Sequence, residues 1–232
     1  MSQKTLKFEL SPRDLKIKQL LSNEFLSVEI DAISSANPNR NGSYFTPEAM
    51  QKALPTFYNK PILGSFDSVR DDFGRHDSSD VKWDNDYENP YYDYTGGRYE
   101  VPLGLIRQSD EVKMVKKDDG LDWIVVSAAI WVQYAYKQTK KLLRSKSKKI
   151  SVEVDVNDYY TDENGVDVIT DFTLLGITIL SDSLETGIAD AHLIIPELMN
   201  DAVYQKKAQS LCFAYQKLDE ALGVENSPDT DK

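Results

Sequence analysis

The chain has 232 residues, of which 41% are hydrophobic and 28% are charged, a balance typical of a globular protein with a buried core. Its net charge of −11 argues against a protein that binds nucleic acid, because such binding requires a basic surface. A single cysteine, Cys212, excludes an internal disulfide framework and a cysteine-rich zinc site, and no apolar run approaches the roughly 18 residues that span a bilayer.

Residues 1–24 are mostly polar and form the first predicted region, with one short amphipathic helix around Leu15–Leu21. This segment lacks the apolar core of a secretory signal, so we expect the protein to start in a cytoplasm. From Phe25 to Ile33 the sequence FLSVEIDAI alternates apolar and polar residues, which predicts a half-buried strand. This strand opens the second predicted region, the main domain over residues 25–196.

A turn and a helix follow the first strand. Asn37-Pro38 and Asn41-Gly42 are dipeptides typical of turns. Thr46 suits the N-cap of a helix, Pro47 suits its first position, and the helix is predicted to run from Pro47 to about Phe57.

The rest of the main domain is predicted to be mostly strands. Residues 67–100 are rich in Asp, Tyr and Gly without a sustained period, so they are assigned to a long loop. One helix is predicted from Trp131 to about Arg144. The strands are predicted at Lys60–Phe66, Val101–Ile106, Glu111–Val115, Leu121–Ile130 and Lys148–Val156, with one or two more between Val166 and Leu180.

This order of elements predicts an α+β fold that is β-rich, with about seven strands and a C-terminal helix. Strands and helices do not alternate regularly, which argues against a doubly wound parallel sheet. The third predicted region, residues 197–232, contains an amphipathic helix and a polar tail. That helix either docks on the main domain or joins subunits into a homo-oligomer.

Two residues stand out as candidates for nucleophilic catalysis. The chain has only two histidines, and His76 lies in the acidic loop within FGRHDSSD. It is either a solvated loop histidine or the base of a catalytic site. The second histidine, His192, precedes an apolar run, and a structural or surface role is predicted for it. Ser151 lies within the alternating segment KKISVEVDV, where a nucleophile would be held on a rigid strand.

The alternation around Ser151 assigns side chains to two faces. Ser151, Glu153 and Asp155 share one face, and Val152, Val154 and Val156 are predicted to face the core. The polar face is either an ordinary exposed strand surface or the wall of an open groove.

A basic run precedes the serine. It is interpreted either as a solvated helix face or as a surface that attracts acidic substrate segments. Its members are Lys137, Lys140, Lys141, Arg144, Lys146, Lys148 and Lys149. The acidic residues between Asp67 and Asp86 do not have the spacing of an EF-hand loop, so no metal site is predicted.

Four segments in chain order resemble the tailed-phage prohead (capsid maturation) serine protease family. They are NPNRNGSYFTPEAMQKAL before the predicted helix, NKPILGSFD…DFGRHDSSD around His76, KKISVEVDV around Ser151, and ITDFTLLGITILSD after it. Their order is the order of the family, and the resemblance covers roughly residues 25–195.

The resemblance implies the fold of herpesvirus assemblin, a mostly antiparallel β-barrel ringed by helices. It implies a serine endopeptidase that cleaves capsid-protein extensions and scaffold proteins inside the assembling prohead, in the cytoplasm of the bacterial host. Ser151 is then the nucleophile and His76 the general base. Such a site needs no cofactor, because a hydroxyl, an imidazole and oxyanion donors suffice.

The third catalytic residue is not fixed by the resemblance. The family carries an acidic residue or a histidine on the strand after the serine, and the matching position here is Gly176. Asp171, Glu153 and Asp77 are acidic residues near the motifs that remain candidates for orienting the imidazole. A Ser–His dyad is a further alternative, as is a protein of the same fold that acts only as a structural or scaffolding component of the head.

The oxyanion donors also remain open. Main-chain amides of the loop after the Asp162–Gly165 turn are one candidate source, and a basic side chain such as Arg144 is another.

Overall fold

The structure, a computed structural model, describes residues 25–67, 70–74, 100–145 and 147–195. The predicted N-terminal segment, the predicted C-terminal helix and the part of the acidic loop that carries His76 and Asp77 lie outside these ranges. None of the helices in the described ranges is long and apolar enough to cross a membrane.

Eleven strands and two α-helices make up the regular structure of the described residues. The strands are β1 Phe25–Ser34, β2 Ser43–Phe45, β3 Pro61–Gly64, β4 Phe66–Asp67, β5 Asp72–Phe73, β6 Val101–Leu105, β7 Val112–Lys116, β8 Asp122–Trp131, β9 Ser147–Thr161, β10 Asp167–Ile179 and β11 His192–Ile194. The helices are α1 Pro47–Ala53, which continues into a 3-10 turn over Leu54–Phe57, and α2 Tyr136–Ser145.

Seven of these strands close into a barrel. Their order around the barrel is β1-β11-β9-β10-β3-β6-β8, and β8 pairs with β1 to complete the ring. Most pairings are antiparallel, but β10 lies parallel to β3 and to the short strand β2, so the barrel is mixed. The prediction of a β-rich α+β fold is confirmed; seven strands form the barrel, and the described residues contain four more strands than the roughly seven predicted.

The core fills the inside of the barrel with aliphatic and aromatic side chains. On β1 every second residue is inward and nearly inaccessible, as the alternation in the sequence predicts, whereas β8 and the end of β10 are buried on both faces. Fully buried examples from different strands are Ile30, Ile62, Leu103, Ile130, Ile150 and Ile177.

Helix α1 begins as its sequence predicts. The Thr46 side chain accepts a hydrogen bond of 3.1 Å from the main-chain N–H of Ala49, and Pro47 occupies the first turn. Its buried face packs on the barrel through Ala49, Met50 and Ala53. Pro55 follows, and the helix tightens there because proline cannot donate the next main-chain hydrogen bond.

Three local predictions are wrong. The segment Lys60–Phe66 is not one strand, because the chain leaves the barrel at Ser65 and then pairs with β5. The second helix begins at Tyr136 rather than Trp131, since Trp131 still pairs with Phe25 in the barrel. Val156 does not reach the core: its exposed fraction is 39%, because β9 has by then extended past the end of the barrel.

Candidate functional site

Ser151 lies on β9 where that strand forms part of the barrel wall. Its neighbours Ile150 and Val152 pair with the buried core residues Ile179 and Ile177, so Ser151 lies on the opposite, outer face. Directly across from it on β10 is Thr178. Ser151 is half-buried, and a strand fixed by a long antiparallel ladder holds its main chain firmly.

Glu153 is the acidic side chain beside Ser151. The two residues share the outer face of β9, as predicted. The Thr178 hydroxyl, which is fully buried, donates a hydrogen bond of 3.4 Å to the Glu153 carboxylate. Glu153, Thr178 and Ser151 therefore form one compact polar patch.

Asp171, the other acid with a described position, is not close to Ser151. It lies next to Asp158 in the β9–β10 pairing, seven residues before Thr178, which corresponds to about 23 Å along a strand. Its carboxylate instead accepts a hydrogen bond of 2.7 Å from Lys52 on α1. That hydrogen bond holds the pKa of Asp171 below its ordinary value.

Gly176, the third position implied by the resemblance, is closely packed against β3. It lies opposite Glu153, and a Cβ atom there would be 3.2 Å from Leu63 Cδ1 and 3.6 Å from Pro61 Cγ. Strand β3 thus packs onto β10 where a third catalytic side chain would otherwise project.

The described part of the acidic loop ends close to this site. The main-chain N–H of Ser181 donates to the carbonyl of Gly74 at 3.2 Å, and the Gly74 N–H donates to Ser65 O at 2.9 Å. Ser181 follows Thr178 by three residues, or about 10 Å of strand, and His76 follows Gly74 by two residues, which span at most about 7 Å. The described part of the loop therefore ends, at Gly74, close to the end of β10 that carries Thr178, the residue paired with Ser151.

A buried lysine anchors the same region. Lys148 is inward on β9, 1% exposed, and its ammonium group donates to Asp72 at 2.8 Å and to Asp182 at 2.7 Å. The Ser181 hydroxyl donates to the second oxygen of Asp72 at 3.2 Å. These contacts tie β5, which precedes Gly74, to the ends of β9 and β10.

Much of the basic run is neutralised by the chain itself. Lys141 lies 3.7 Å from Asp72, Arg144 lies 3.4 Å from Asp71, and Lys149 donates to the carbonyl of Leu184. Together with the buried Lys148, several members of the run thus contact groups of their own chain, while Lys137 and Arg144 are exposed on α2. The interpretation as a solvated helix face is therefore confirmed only in part, and the attraction of acidic substrate segments stays a prediction.

Both predicted sources of oxyanion donors are also poorly placed. The Asp162–Gly165 turn is at the tip of the β9–β10 hairpin, eleven residues from Ser151, or about 35 Å along the strand. Arg144 is engaged by Asp71. The first prediction is therefore wrong, and the second is opposed by the ion pair.

His192 has the structural role predicted for it. One ring nitrogen lies 2.6 Å from the carbonyl oxygen of Asp190, and the other lies 3.4 Å from the Asp31 carboxylate, which also binds Lys117. Both nitrogens thus have partners, one in the segment just before β11 and one on β1, and neither is available to Ser151.

The charged groups around Lys148 change the pKa of Asp72. Burial by itself raises this pKa, but the hydrogen bonds from Lys148 and from the Phe73 N–H, with the charges of Lys148 and Lys141, outweigh burial. The pKa of Asp72 is therefore below its ordinary value, and folding favours its ionised form.

This shift predicts how stability depends on pH. Because the folded-state pKa is the lower one, the contribution of Asp72 is complete above the unfolded-state value of about 3.9 and is lost as the pH falls through the folded-state value. Asp72→Asn should lower the free energy of unfolding by about 2 kcal/mol at pH 7, since it leaves buried Lys148 with one carboxylate partner. Urea unfolding should show a smaller difference between wild type and variant at pH 3. An equal difference at both pH values would contradict this account.

A cavity opens beside β9, and Ser151 is among the residues that line it. Its volume is about 220 Å³, and it lies between the inward side chains of β9 and the turn that contains the NPNRNG motif. The Asn39 side chain orders that turn by accepting hydrogen bonds from the N–H groups of Asn41 and Ser43. The Arg40 N–H donates to Gly187 O, which fastens the turn to the segment before β11.

Sequence reasoning missed the buried cluster around Lys148 and the polar partner Thr178. The alternation did contain a signal, because Lys148 has the same phase as Ile150 and Val152 and a lysine on that face requires a buried partner. No local signal identified Asp72 and Asp182 as those partners.

The fold and the site define a closed, mixed seven-stranded β-barrel with a serine and a glutamate on the outer face of one wall strand. The family described as the YonD N-terminal domain matches residues 24–215, and the chain belongs to that family. No curated protein and no solved structure matches the chain.

Proposed function

We propose that this chain is a serine endopeptidase of phage prohead maturation with an assemblin-like barrel. Ser151 is the nucleophile and His76 the general base. The substrates are flexible segments of capsid and scaffold proteins, and cleavage takes place inside the assembling head.

The observation that carries the proposal is the hydrogen bond between Ser181 and Gly74. It holds Gly74, two residues before His76 in the sequence, at the end of β10 near Thr178, and this supports a base that reaches Ser151. A nucleophile on a rigid strand and a base on a neighbouring loop are the two parts that such a reaction requires. Glu153 is the acid that we assign to orienting the imidazole, because its carboxylate shares the outer face with Ser151.

A catalytically inactive head-assembly component is the second candidate. Three observations favour it: Gly176 carries no side chain, Asp171 is bound to Lys52, and no described side chain forms a hydrogen bond with the Ser151 hydroxyl. In that case the barrel would act as a structural or scaffolding part.

Co-expression with the capsid and scaffold proteins separates the two functions. A protease produces shortened capsid or scaffold chains whose new termini can be read by mass spectrometry. A structural component supports head assembly while every chain keeps its full length.

The two acids provide a matched test within the same assay. Glu153→Gln should slow cleavage by about tenfold to a thousandfold, because the imidazolium formed in the reaction loses its neighbouring charge. Asp171→Asn should leave cleavage unchanged and should remove only the exposed pair with Lys52. Slower cleavage with Asp171→Asn and not with Glu153→Gln would overturn our assignment.

A further inference from the structure

Strand β9 continues far beyond its neighbour β11. The two strands pair only over Ser147–Lys149, whereas β9 extends to Thr161. On that side, within the described ranges, no strand pairs with β9 after Lys149. An unpaired strand edge of this length is a template for the addition of another strand.

The main-chain groups of every second residue of β9 point to the open side. The Ile150 N–H donates to Ala191 O on the β11 side, while Lys149 O accepts from the Leu180 N–H on the β10 side. Because main-chain groups alternate in direction along an antiparallel strand, Val152 and Val154 direct their N–H and C=O groups to the open side.

The inner face of this edge borders the cavity of about 220 Å³. Val152, Val154 and Val156 form its apolar wall together with Ile188. The volume is below the range of about 300–1,000 Å³ typical of pockets for drug-sized ligands. It suits one apolar side chain delivered by an extended peptide.

The outer face of the same edge is acidic. Glu153 and Asp155 lie on it, and no lysine or arginine of the described residues forms an ion pair with either carboxylate. Exposed Glu163 adds negative charge at the tip of the hairpin. A strand beside β9 would therefore place its outward side chains next to carboxylates, where lysine or arginine is favoured.

We propose that the open edge of β9 from Val152 to Val156 binds an extended peptide strand in which apolar residues alternate with lysine or arginine. One apolar side chain enters the cavity, the basic side chains contact Glu153 and Asp155, and main-chain hydrogen bonds extend the sheet. The proposal goes beyond the proposed activity, because binding of this kind needs no chemistry at Ser151.

The test uses the full chain with Ser151→Ala, so that no probe is cleaved. The probe is a fluorescent eight-residue peptide that alternates valine and lysine, and the control peptide has the same composition with all valines before all lysines. The probe should bind about tenfold more tightly, because several cross-strand pairs contribute a few tenths of a kcal/mol each. Equal affinity for the two peptides, or no saturable binding of either, would overturn the proposal, whether or not the chain is a protease.

Two sets of controls test the geometry. The amides of the bound peptide point alternately toward β9 and away from it. N-methylation of the amides that point toward β9 should abolish binding, and N-methylation of the others should not. Equal effects of the two modifications would contradict strand addition. Asp155→Lys should weaken binding several-fold. Asp118→Lys makes the same charge change in the turn between β7 and β8 and should leave the affinity for the peptide unchanged. Equal weakening by the two variants would exclude a specific acidic face.

Discussion

Ser151→Ala is expected to lower the rate of capsid and scaffold cleavage by about a thousandfold or more, because it removes the attacking oxygen. The exchange deletes one half-buried hydroxyl that forms no hydrogen bond with a described side chain, so the barrel should remain intact. Cleavage products are measured by mass spectrometry after co-expression, and circular dichroism verifies the fold.

Ser147→Ala is the matched control. Ser147 lies on the same strand, four residues earlier and also half-buried, but it pairs with Ile194 on β11. This variant should cleave at the wild-type rate. Persistent cleavage with Ser151→Ala, or equal loss with Ser147→Ala, would show that Ser151 is not the nucleophile.

Gly104→Ala is expected to give the largest loss of stability. A Cβ atom at Gly104 would overlap with the carbonyl oxygen of Ala129 and lie 2.9 Å from Ile130 Cα. Both atoms belong to the main chain of β8, which pairs with β6 at this point and cannot retreat without opening the barrel. The free energy of unfolding should fall by about 3 kcal/mol or more, measured by urea denaturation.

Gly176→Ala provides the comparison. Its new methyl group would meet the end of the Leu63 side chain at 3.2 Å, and a leucine can change its rotamer. We expect a loss of about 1 kcal/mol. Similar losses for the two variants would contradict the tight β6–β8 contact.

The elements that the sequence predicts well depend on local chemistry. Alternation located β1 and the first half of β9, because each has one face in the core, whereas β8 is predicted from an apolar run between turns and is buried on both faces. Thr46 and Pro47 located the start of α1, because N-capping involves only the next few residues.

The features that could not be predicted depend on contacts between distant parts of the chain. The break at Ser65 follows from the pairing of β4 with β5. The extent of β9 past the core follows from the partner strand β10, and this is why Val156 is exposed. Register also decides between the acids, since Glu153 and Asp171 are both near the motifs in sequence and only Glu153 is beside Ser151.

The resemblance in sequence names candidate residues but does not describe their surroundings. It pointed to Gly176 as the third position, whereas the residue across from Ser151 is Thr178. It also gave no sign that Lys148 and Asp72 hold the start of the acidic loop against β9 and β10.

The central claim is that the His76 and Ser151 side chains meet at the outer face of β9. The direct measurement replaces both residues by cysteine in a Cys212→Ser background and adds dibromobimane, which becomes fluorescent only when it joins two thiols a few ångströms apart. We predict a fluorescent intramolecular cross-link for the His76→Cys and Ser151→Cys pair, and none for His76→Cys with Asp171→Cys. A cross-link to position 171 and none to position 151 would contradict the account.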